Sequence, residues 1–167
     1  MFKTSLASVL LWVLTMLPLQ AAALPTPEGR ILLQVNGAIT NLNSDGAANF
    51  DLEMMRGLDW QEIETYTSFT DGPQVFAGPT LRSLLDAVEA TGRRLNATAI
   101  NGYFVEIPVA HADDYNVILA VEMNGRFMRI RDKGPIWVIY PLSEEETAQK
   151  PFDNEMIWQL NQIEVIE

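Results

Sequence analysis

Cysteine and histidine, the side chains most often used as metal ligands and nucleophiles, are almost absent from this sequence. The 167 residues include no cysteine and one histidine. Without cysteine the chain has no disulfide, no thiolate metal site and no thiol nucleophile. The one histidine, His111, lies in a polar stretch after Pro108, and we expect it at the surface or capping a helix, not binding a metal. The residue types therefore do not assemble into a catalytic set.

The elements that must position any functional side chain are mostly predicted strands. Runs of apolar and β-branched residues bounded by turn residues predict strands at residues 30–40, 60–66, 98–107, 116–123, 126–130, 136–140 and 163–166. Helices are expected at residues 50–58 and 79–91, and helical turns at residues 108–114 and 152–160. Because strands dominate and do not alternate regularly with helices, the expected fold is α+β with a mixed sheet.

Two local signals mark where elements begin and turn. Pro79 suits the first turn of the helix at residues 79–91, because the backbone N–H that proline lacks has no partner there. Gly92 stands where that helix should stop. Asn124-Gly125 lies between two apolar runs and is the strongest short hairpin signal in the chain.

Residues 1–23 have the pattern of a signal peptide. Lys3 provides a short basic start, residues 6–19 are almost wholly apolar, and three alanines then offer a cleavage site. An uncleaved membrane anchor is the alternative, but the apolar run is shorter than the roughly 20 residues that a membrane span requires. We therefore expect cleavage near Ala23 and a single exported domain that comprises residues 24–167.

The charge balance narrows the possible partners. The sequence has 22 acidic and 11 basic residues and a formal net charge of −11. Binding to nucleic acid depends on clustered cations that pair with phosphates, so this acidic chain is not expected to bind DNA or RNA.

Five short segments in the second half of the chain occur in the order found in a known family. They are FAGPTLRSLL at residues 76–85, YFVEIP at 103–108, LAVEMNG at 119–125, RDKG at 131–134 and VIYP at 138–141. Because of these segments, the chain from residue 76 onward resembles the molybdopterin-binding domain of the sulfite oxidase superfamily. The resemblance implies the mixed α+β fold of that domain and a pocket of the size of a pterin.

The sequence departs from that superfamily where its enzymes hold their metal. In the enzymes a cysteine in the loop before the first of these segments binds molybdenum, whereas residues 66–72 contain serine and threonine but no sulfur. Ile157 stands before Trp158 where the family has a lysine that contacts the cofactor. Tyr103 matches the tyrosine that assists oxygen-atom transfer. The resemblance implies a pterin site, while the missing cysteine argues against molybdenum and against catalysis.

An export signal, one domain and no cysteine make the chain similar to a smaller group within the superfamily. These are exported proteins of Gram-negative bacteria that bind pterins in the periplasm, and some regulate a membrane-bound cyclic-di-GMP enzyme through its periplasmic domain. The resemblance implies a periplasmic pterin-binding protein that senses a neopterin- or monapterin-like ligand and acts on such an enzyme. The alternatives are a simple pterin carrier and a molybdopterin-dependent oxidoreductase.

A pterin site requires an aromatic face for stacking and polar groups that match the 2-amino-4-oxo edge of the ring. The residues expected to bind the ligand are Phe69, Thr70, Asn101, Tyr103, Arg131, Asp132, Lys133 and Trp137. The aromatic members would stack, as could Tyr140, and the polar members would pair with the ring edge or a polar tail. Alternatively, Trp137 belongs to the core and residues 131–133 form a solvated turn with a local ion pair.

Overall fold

The structure of the protein is a computed structural model that describes residues 23–149 and 151–167. Over these residues the chain forms the strands β1 (Leu33–Gly37), β2 (Ala47–Phe50), β3 (Trp60–Thr65), β4 (Gln74–Pro79), β5 (Arg94–Ala99), β6 (Phe104–Pro108), β7 (Ile118–Ala120), β8 (Glu122–Met123), β9 (Arg126–Phe127), β10 (Trp137–Ile139) and β11 (Leu160–Ile166). The helices are α1 (Leu52–Arg56), α2 (Leu81–Ala87), α3 (His111–Asp114) and α4 (Glu144–Ala148), with a 3₁₀ turn at Ile130–Asp132. The predicted signal peptide, residues 1–23, lies outside the described residues except for Ala23.

The strands form a mixed five-stranded sheet and a four-stranded antiparallel sheet. The larger sheet has the order β2-β1-β11-β5-β6, in which β1 and β11 are parallel and the other neighbours antiparallel. The smaller sheet has the order β3-β4-β8-β9, and β7 pairs with β10 in an antiparallel ladder of its own. The helices are short and do not alternate with parallel strands. This confirms the expected α+β class with a mixed sheet in one small domain.

The larger core lies between helix α2 and the five-stranded sheet. Leu81, Leu84 and Leu85 of the helix are buried in one cluster with Leu33 and Ile163 of the sheet. Full burial of one such side chain stabilises the fold by about 1.5–3 kcal/mol relative to its exposure. This packing holds the sheet whose β5–β6 edge carries the candidate site.

A smaller core supports the loop between β3 and β4. Phe76 of β4, Ile118 of β7 and Trp137 of β10 are buried together, and Phe69 of the loop packs against them. The rings of Phe76 and Trp137 meet edge to face with their centroids 5.4 Å apart. The loop at residues 66–73 therefore rests on a rigid aromatic base.

The predicted strand at residues 98–107 is wrong, because the chain turns back within it. Strands β5 and β6 form an antiparallel hairpin around residues 100–103. The Ala99 N–H donates to the Tyr103 carbonyl oxygen at 2.8 Å, and Gly102 has a φ of +83°. The dipeptide Asn101-Gly102 is the same turn signal that marks the hairpin at residues 124–125. The turn brings Asn101 and Tyr103 to the end of the larger sheet.

Two predicted helices also differ from the structure. Pro79 ends strand β4, which the sequence did not predict, and helix α2 begins only after Thr80. The Thr80 hydroxyl caps that helix, since it accepts a hydrogen bond from the Ser83 N–H at 3.2 Å. Residues 151–155 form a turn and Trp158 then bridges to Trp137, so the segment at residues 152–160 is not a helical turn.

The hairpin predicted at residues 124–125 is confirmed. Strands β8 and β9 pair antiparallel across this two-residue connection. Asn124 and Gly125 have φ values of +53° and +69°, as a type I′ turn requires.

Candidate ligand-binding site

A cleft of about 450 Å³ opens at the end of the larger sheet, and we call it the aromatic cleft. Its lining residues are Phe69, Ala99, Asn101, Tyr103, Asp153, Asn154, Met156, Ile157 and Trp158. Small-molecule sites in proteins span about 300–1,000 Å³ and combine an apolar lining with a few polar groups. The aromatic cleft has both the size and the composition of such a site.

Three separate segments of the chain build the cleft. Phe69 comes from the β3–β4 loop, Asn101 and Tyr103 from the β5–β6 turn, and Asp153 to Trp158 from the stretch before β11. The Asn101 side-chain oxygen accepts the Tyr103 N–H at 3.0 Å, which fixes the shape of the turn. The Ile100 N–H donates to the carbonyl oxygen of Gln159 at 2.9 Å and ties the turn to the last segment.

Aromatic rings form one wall of the cleft. Phe69 and Trp158 meet edge to face with ring centroids 5.2 Å apart, and Trp158 keeps 38% of its surface exposed. Trp137 stands perpendicular to Trp158 at 6.2 Å and tilted to Phe69 at 6.3 Å. Perpendicular and tilted contacts at these distances are favourable for aromatic pairs. Phe69 and Trp158 are therefore held in place before any ligand arrives.

Trp137 supports the cleft from below but offers no face to a ligand. Its exposed fraction is 0%, and its indole N–H donates to the Met156 carbonyl oxygen at 3.0 Å. The prediction that Trp137 stacks on a ligand is corrected by this burial, and the alternative of a core residue holds. Tyr140 follows strand β10 and was also a candidate for stacking. It is fully buried as well.

Tyr103 is the aromatic side chain of the cleft with the most free surface. It is 57% exposed, although large aromatic rings are usually buried in much of their area. A flat ligand that lies against Tyr103 and Trp158 would remove apolar ring surface from water. Tyr103 lines the cleft, and its contact with a ligand stays a prediction.

Lys133 does not line the cleft but contacts the residues of its aromatic wall. Its Nζ donates to the Phe69 carbonyl oxygen at 3.2 Å and lies 5.0 Å from the Trp137 ring centroid and 5.9 Å from that of Trp158. A cation over aromatic faces at such distances contributes about 0.5–2 kcal/mol. Lys133 therefore fastens the Phe69 loop to the aromatic wall.

The remaining predicted site residues lie apart from the cleft lining. The Thr70 hydroxyl lies 2.9 Å from the Thr67 hydroxyl, within their own loop. Arg131 lines a second and larger groove, on the side of α1. Asp132 pairs with Arg129 at 2.5 Å, and this hydrogen bond holds the pKa of its carboxyl below the usual value. The alternative of a local ion pair at residues 131–133 thus describes Asp132.

Asp153 and Asn154 supply polar groups to the cleft that sequence reasoning missed. Both lie in the turn at residues 151–155, which the sequence suggested was helical. Phe152 fixes this turn, because its ring stacks on Tyr140 with the centroids 4.2 Å apart and the planes at 11°. The stacked ring anchors the carboxylate and amide beside the aromatic wall. No pattern in the sequence pointed to them.

His111 belongs to the same aromatic cluster rather than to the surface. Its Nδ1 lies 2.9 Å from the Tyr140 hydroxyl, and its ring meets those of Tyr115 and Phe152 edge to face. The expectation of a surface or capping role is corrected, since these rings half-bury it. Burial raises the pKa of the Tyr140 hydroxyl, and the nearby Glu155 carboxylate raises it further.

The loop at residues 66–72, where the superfamily's enzymes carry their cysteine, does not fit a molybdenum ion. The Thr67 hydroxyl accepts the Phe69 N–H at 3.2 Å and also contacts Thr70, so its oxygen shapes the loop. Within residues 23–149 and 151–167, no group of three or more histidine, aspartate or glutamate side chains could hold a metal ion.

None of the helices in this part of the chain has the length and apolar character needed to cross a membrane.

Comparison with known proteins identifies a similar fold among solved structures but no matching family. No protein-family model and no curated protein matches the chain. Among solved structures, it is similar to the crystal structure of the sulfane dehydrogenase SoxCD from Paracoccus pantotrophus, with a TM-score of 0.61 and 16% sequence identity. The match covers 86% of this chain and 40% of that one, so the chain spans less than half of the SoxCD chain. At this identity the similarity concerns the fold alone, and it supports a sulfite-oxidase-type fold for this protein.

Proposed function

We propose that the protein binds a free pterin, such as a neopterin- or monapterin-like molecule, in the aromatic cleft. One observation carries the proposal. The loop at residues 66–72, Tyr103 and the pair Ile157-Trp158 are the three places that the sequence resemblance associates with the cofactor of the superfamily. They are far apart in the chain, yet Phe69, Tyr103 and Trp158 line one cleft.

The chemistry of the lining suits a pterin. The ring would lie against Tyr103 and Trp158, where a well-placed aromatic pair is worth about 0.5–1.5 kcal/mol beyond burial. The Asp153 carboxylate can accept two N–H groups from the amino-pyrimidinone edge. The amides of Asn101 and Asn154 can pair with the ring carbonyl or a polar tail. A buried edge group without a partner costs about 1–3 kcal/mol, so these polar side chains would set specificity.

We propose that this pterin site works without molybdenum and without catalysis. The support is the donor set, because the loop at residues 66–72 presents hydroxyl groups that bind one another where a thiolate would be needed. Elemental analysis of the purified protein tests this point. Molybdenum or tungsten in stoichiometric amount would restore an oxidoreductase.

Release and titration of the ligand test the pterin proposal directly. Pterins fluoresce, so denatured protein should release a fluorescent compound, and the refolded protein should bind it back. Tyr103→Ala and Trp158→Ala should each weaken binding by about 1–3 kcal/mol, since each removes a ring that the bound pterin would cover. Phe104→Ala is the matched control, because Phe104 is a neighbouring ring, 58% exposed, that does not line the cleft. Unchanged affinity in both test variants would place the site elsewhere.

We propose further that the protein acts in the periplasm as a sensor, and that its target is the periplasmic domain of a membrane-bound cyclic-di-GMP enzyme. The support is the signal-peptide pattern at residues 1–23 and the resemblance to exported regulators. A sensor must bind its target with different affinity in the ligand-bound and free states, because equal affinity shifts nothing. Retention of such an enzyme from membrane extract, with and without pterin, tests this. Equal and negligible retention in both conditions would leave a simple carrier.

A further inference from the structure

A second and larger cavity lies on the other side of the 3₁₀ turn at Ile130–Asp132, and we call it the arginine groove. It is an open groove of about 1540 Å³ between the N-terminal arm, helix α1 and the segment at residues 127–131. Leu24, Leu52, Leu58 and Phe127 line it together with Arg30 and Arg131. The pterin proposal makes no use of this groove.

The size and lining of the groove suit an extended apolar object. Its volume exceeds the range of about 300–1,000 Å³ that is typical of small-molecule sites. Phe127 and Ile130 are exposed by 48% and 47% at its edge, and Leu24, Leu52 and Leu58 line it. Exposed apolar residues that are contiguous and bordered by polar ones mark interaction surfaces.

One wall of the groove concentrates positive charge on an acidic protein. Residues 126–133 carry four of the chain's eleven basic side chains, in a sequence whose net charge is −11. Arg129 and Arg131 line the groove from this wall, and the Arg131 side chain is 71% exposed. Arg30, which is also exposed, adds a third guanidinium from the N-terminal arm.

Most carboxylates at the groove are already engaged by other groups. Asp51 is buried, and its oxygens accept backbone N–H groups from Glu28, Gly29 and Met54 at 2.7–3.0 Å. Glu53 is paired with Arg56 at 3.1 Å. On the other wall, Asp132 pairs with Arg129 at 2.5 Å and lies 3.9 Å from the Arg131 Nε. The charges that remain most open to a partner are the exposed guanidiniums of Arg30 and Arg131, with Glu28 as the exposed carboxylate beside them.

We propose that the arginine groove is a docking surface for an amphipathic segment of a partner protein, with apolar side chains on one face and acidic side chains beside them. The apolar face would fill the groove between Leu58 and Phe127, and the acidic side chains would meet Arg30 and Arg131. Segments of this kind lay their apolar face into a hydrophobic groove and gain orientation from the charges at its rim. None of the residues that line the aromatic cleft takes part in this surface, so the proposal goes beyond the pterin site.

A peptide segment fits the groove better than an anionic membrane surface does. The groove is concave, and Glu28 and Glu53 line it together with the arginines. A flat bilayer of negative charge would meet those carboxylates together with the cations. A narrow segment can contact the arginines and leave the carboxylates in water.

Fluorescence anisotropy with a designed peptide tests the proposal. The probe is a labelled amphipathic peptide with leucine on one face and glutamate on the other, and the comparison peptide has lysine in place of glutamate. The full protein should bind the glutamate peptide saturably and at least about tenfold more tightly than the lysine peptide, with affinity that falls as salt rises. Arg30→Glu should weaken binding by about tenfold, because it reverses a charge at the rim. Arg93→Glu, an exposed arginine outside both cavities, makes the same charge change and should have no effect.

A second variant tests the apolar part of the groove, and lipid vesicles test binding to a membrane. Phe127→Ser removes an exposed apolar side chain and should also weaken binding, while a circular dichroism spectrum verifies the fold of each variant. Equal binding of the two peptides, or unchanged binding in both Arg30→Glu and Phe127→Ser, overturns the proposal. So does binding to phosphatidylglycerol vesicles without binding to the glutamate peptide, since that result assigns the surface to a membrane.

Discussion

The aromatic cleft and the arginine groove differ in how firmly their walls are built. In the aromatic cleft, of about 450 Å³, Phe69 and Trp158 are held by each other and by the buried Trp137, whose indole N–H donates to the Met156 carbonyl oxygen. The arginine groove, of about 1540 Å³, has long exposed side chains such as Arg30 and Arg131 along its rim. A preorganised wall reduces the entropy lost when a small ligand binds, whereas long side chains can adjust to a larger partner. One small domain thus contains a rigid site and an adaptable surface.

The rigidity of the cleft can be broken most severely at its buried base. Trp137→Ala should lower the free energy of unfolding by about 3–5 kcal/mol, since it removes a fully buried ring and its hydrogen bond to Met156. Chemical denaturation measures this loss. Trp158→Ala, in which a partly exposed ring of the same size is removed, should cost clearly less. Equal losses in the two variants would contradict the division between base and wall.

At the arginine groove, the buried Asp51 side chain holds the N-terminal arm against the start of helix α1. Asp51→Ala should destabilise the fold by about 2–3 kcal/mol, because it removes the cap of helix α1 and leaves the Glu28 and Gly29 N–H groups without their acceptor. Asp45→Ala, at an exposed aspartate, is the control. A loss below about 0.5 kcal/mol, the lower limit for an N-cap, would show that the N-terminal arm is not fastened by this carboxylate.

Asp51 also makes the stability of the fold depend on pH. Hydrogen bonds from the Met54 and Gly29 N–H groups hold the pKa of the Asp51 carboxyl below its ordinary value of 3.8. The pKa of this carboxyl is lower in the folded than in the unfolded state. Its contribution to the free energy of unfolding is therefore complete above the unfolded-state pKa and is lost as the pH falls through the folded-state pKa. Unfolding measured from neutral pH down to acid should therefore show a shallower decline in Asp51→Asn than in the wild type. Parallel curves would exclude a special role for this carboxylate.

Specificity in the cleft should depend on Asp153. Asp153→Asn should weaken pterin binding by about 1–2 kcal/mol, because the amide replaces one acceptor with a donor that faces the N–H groups of the ring edge. Isothermal titration measures the change. Glu155→Gln is the matched control, since Glu155 lies two residues away and does not line the cleft. Equal affinities of the wild type and Asp153→Asn would assign the ring edge to other groups.

The smallest expected effect concerns the cation under the aromatic wall. Lys133→Met keeps the length of the side chain but loses its hydrogen bond to Phe69 and its position over Trp137. The loss of unfolding free energy should be about 1 kcal/mol. Arg126→Met, at an exposed cation of strand β9, should change stability by less than about 0.5 kcal/mol. A larger effect at Arg126 than at Lys133 would reverse this order.

Local turn chemistry was predictable from the sequence where a dipeptide carries the signal by itself. Asn124-Gly125 gave its hairpin correctly, whereas Asn101-Gly102, the same dipeptide, was covered by a predicted strand because apolar residues flank it on both sides. Pro79 shows the opposite error. A proline fits the end of a strand as well as the first turn of a helix, and the choice is made by the pairing of β4 with β3 across the sheet.

The candidate site was predictable only in part, because tertiary packing decides which side chains reach the cleft. Phe69, Asn101 and Tyr103, which the family resemblance grouped, line one cleft, while their contact with a ligand stays a prediction. Asp153 and Asn154 are brought there by the stacking of Phe152 on Tyr140, a contact between residues twelve positions apart that no local pattern records. Trp137 and Trp158 have the same side chain, and only tertiary packing decides which one is buried.

Trp158 and Gln159 are consecutive residues that line different cavities, so this dipeptide is a partition shared by the cleft and the groove. Trp158 lines the cleft and Gln159 lines the groove. The Gln159 N–H donates to the Lys133 carbonyl oxygen at 3.0 Å, and its side-chain amide donates to that of Ile130 at 2.9 Å. Occupancy of one cavity that orders this partition lowers the cost of ordering it for the other. Such coupling is reciprocal, so a pterin that strengthens peptide binding by some factor must itself be held more tightly by the same factor once the peptide is bound.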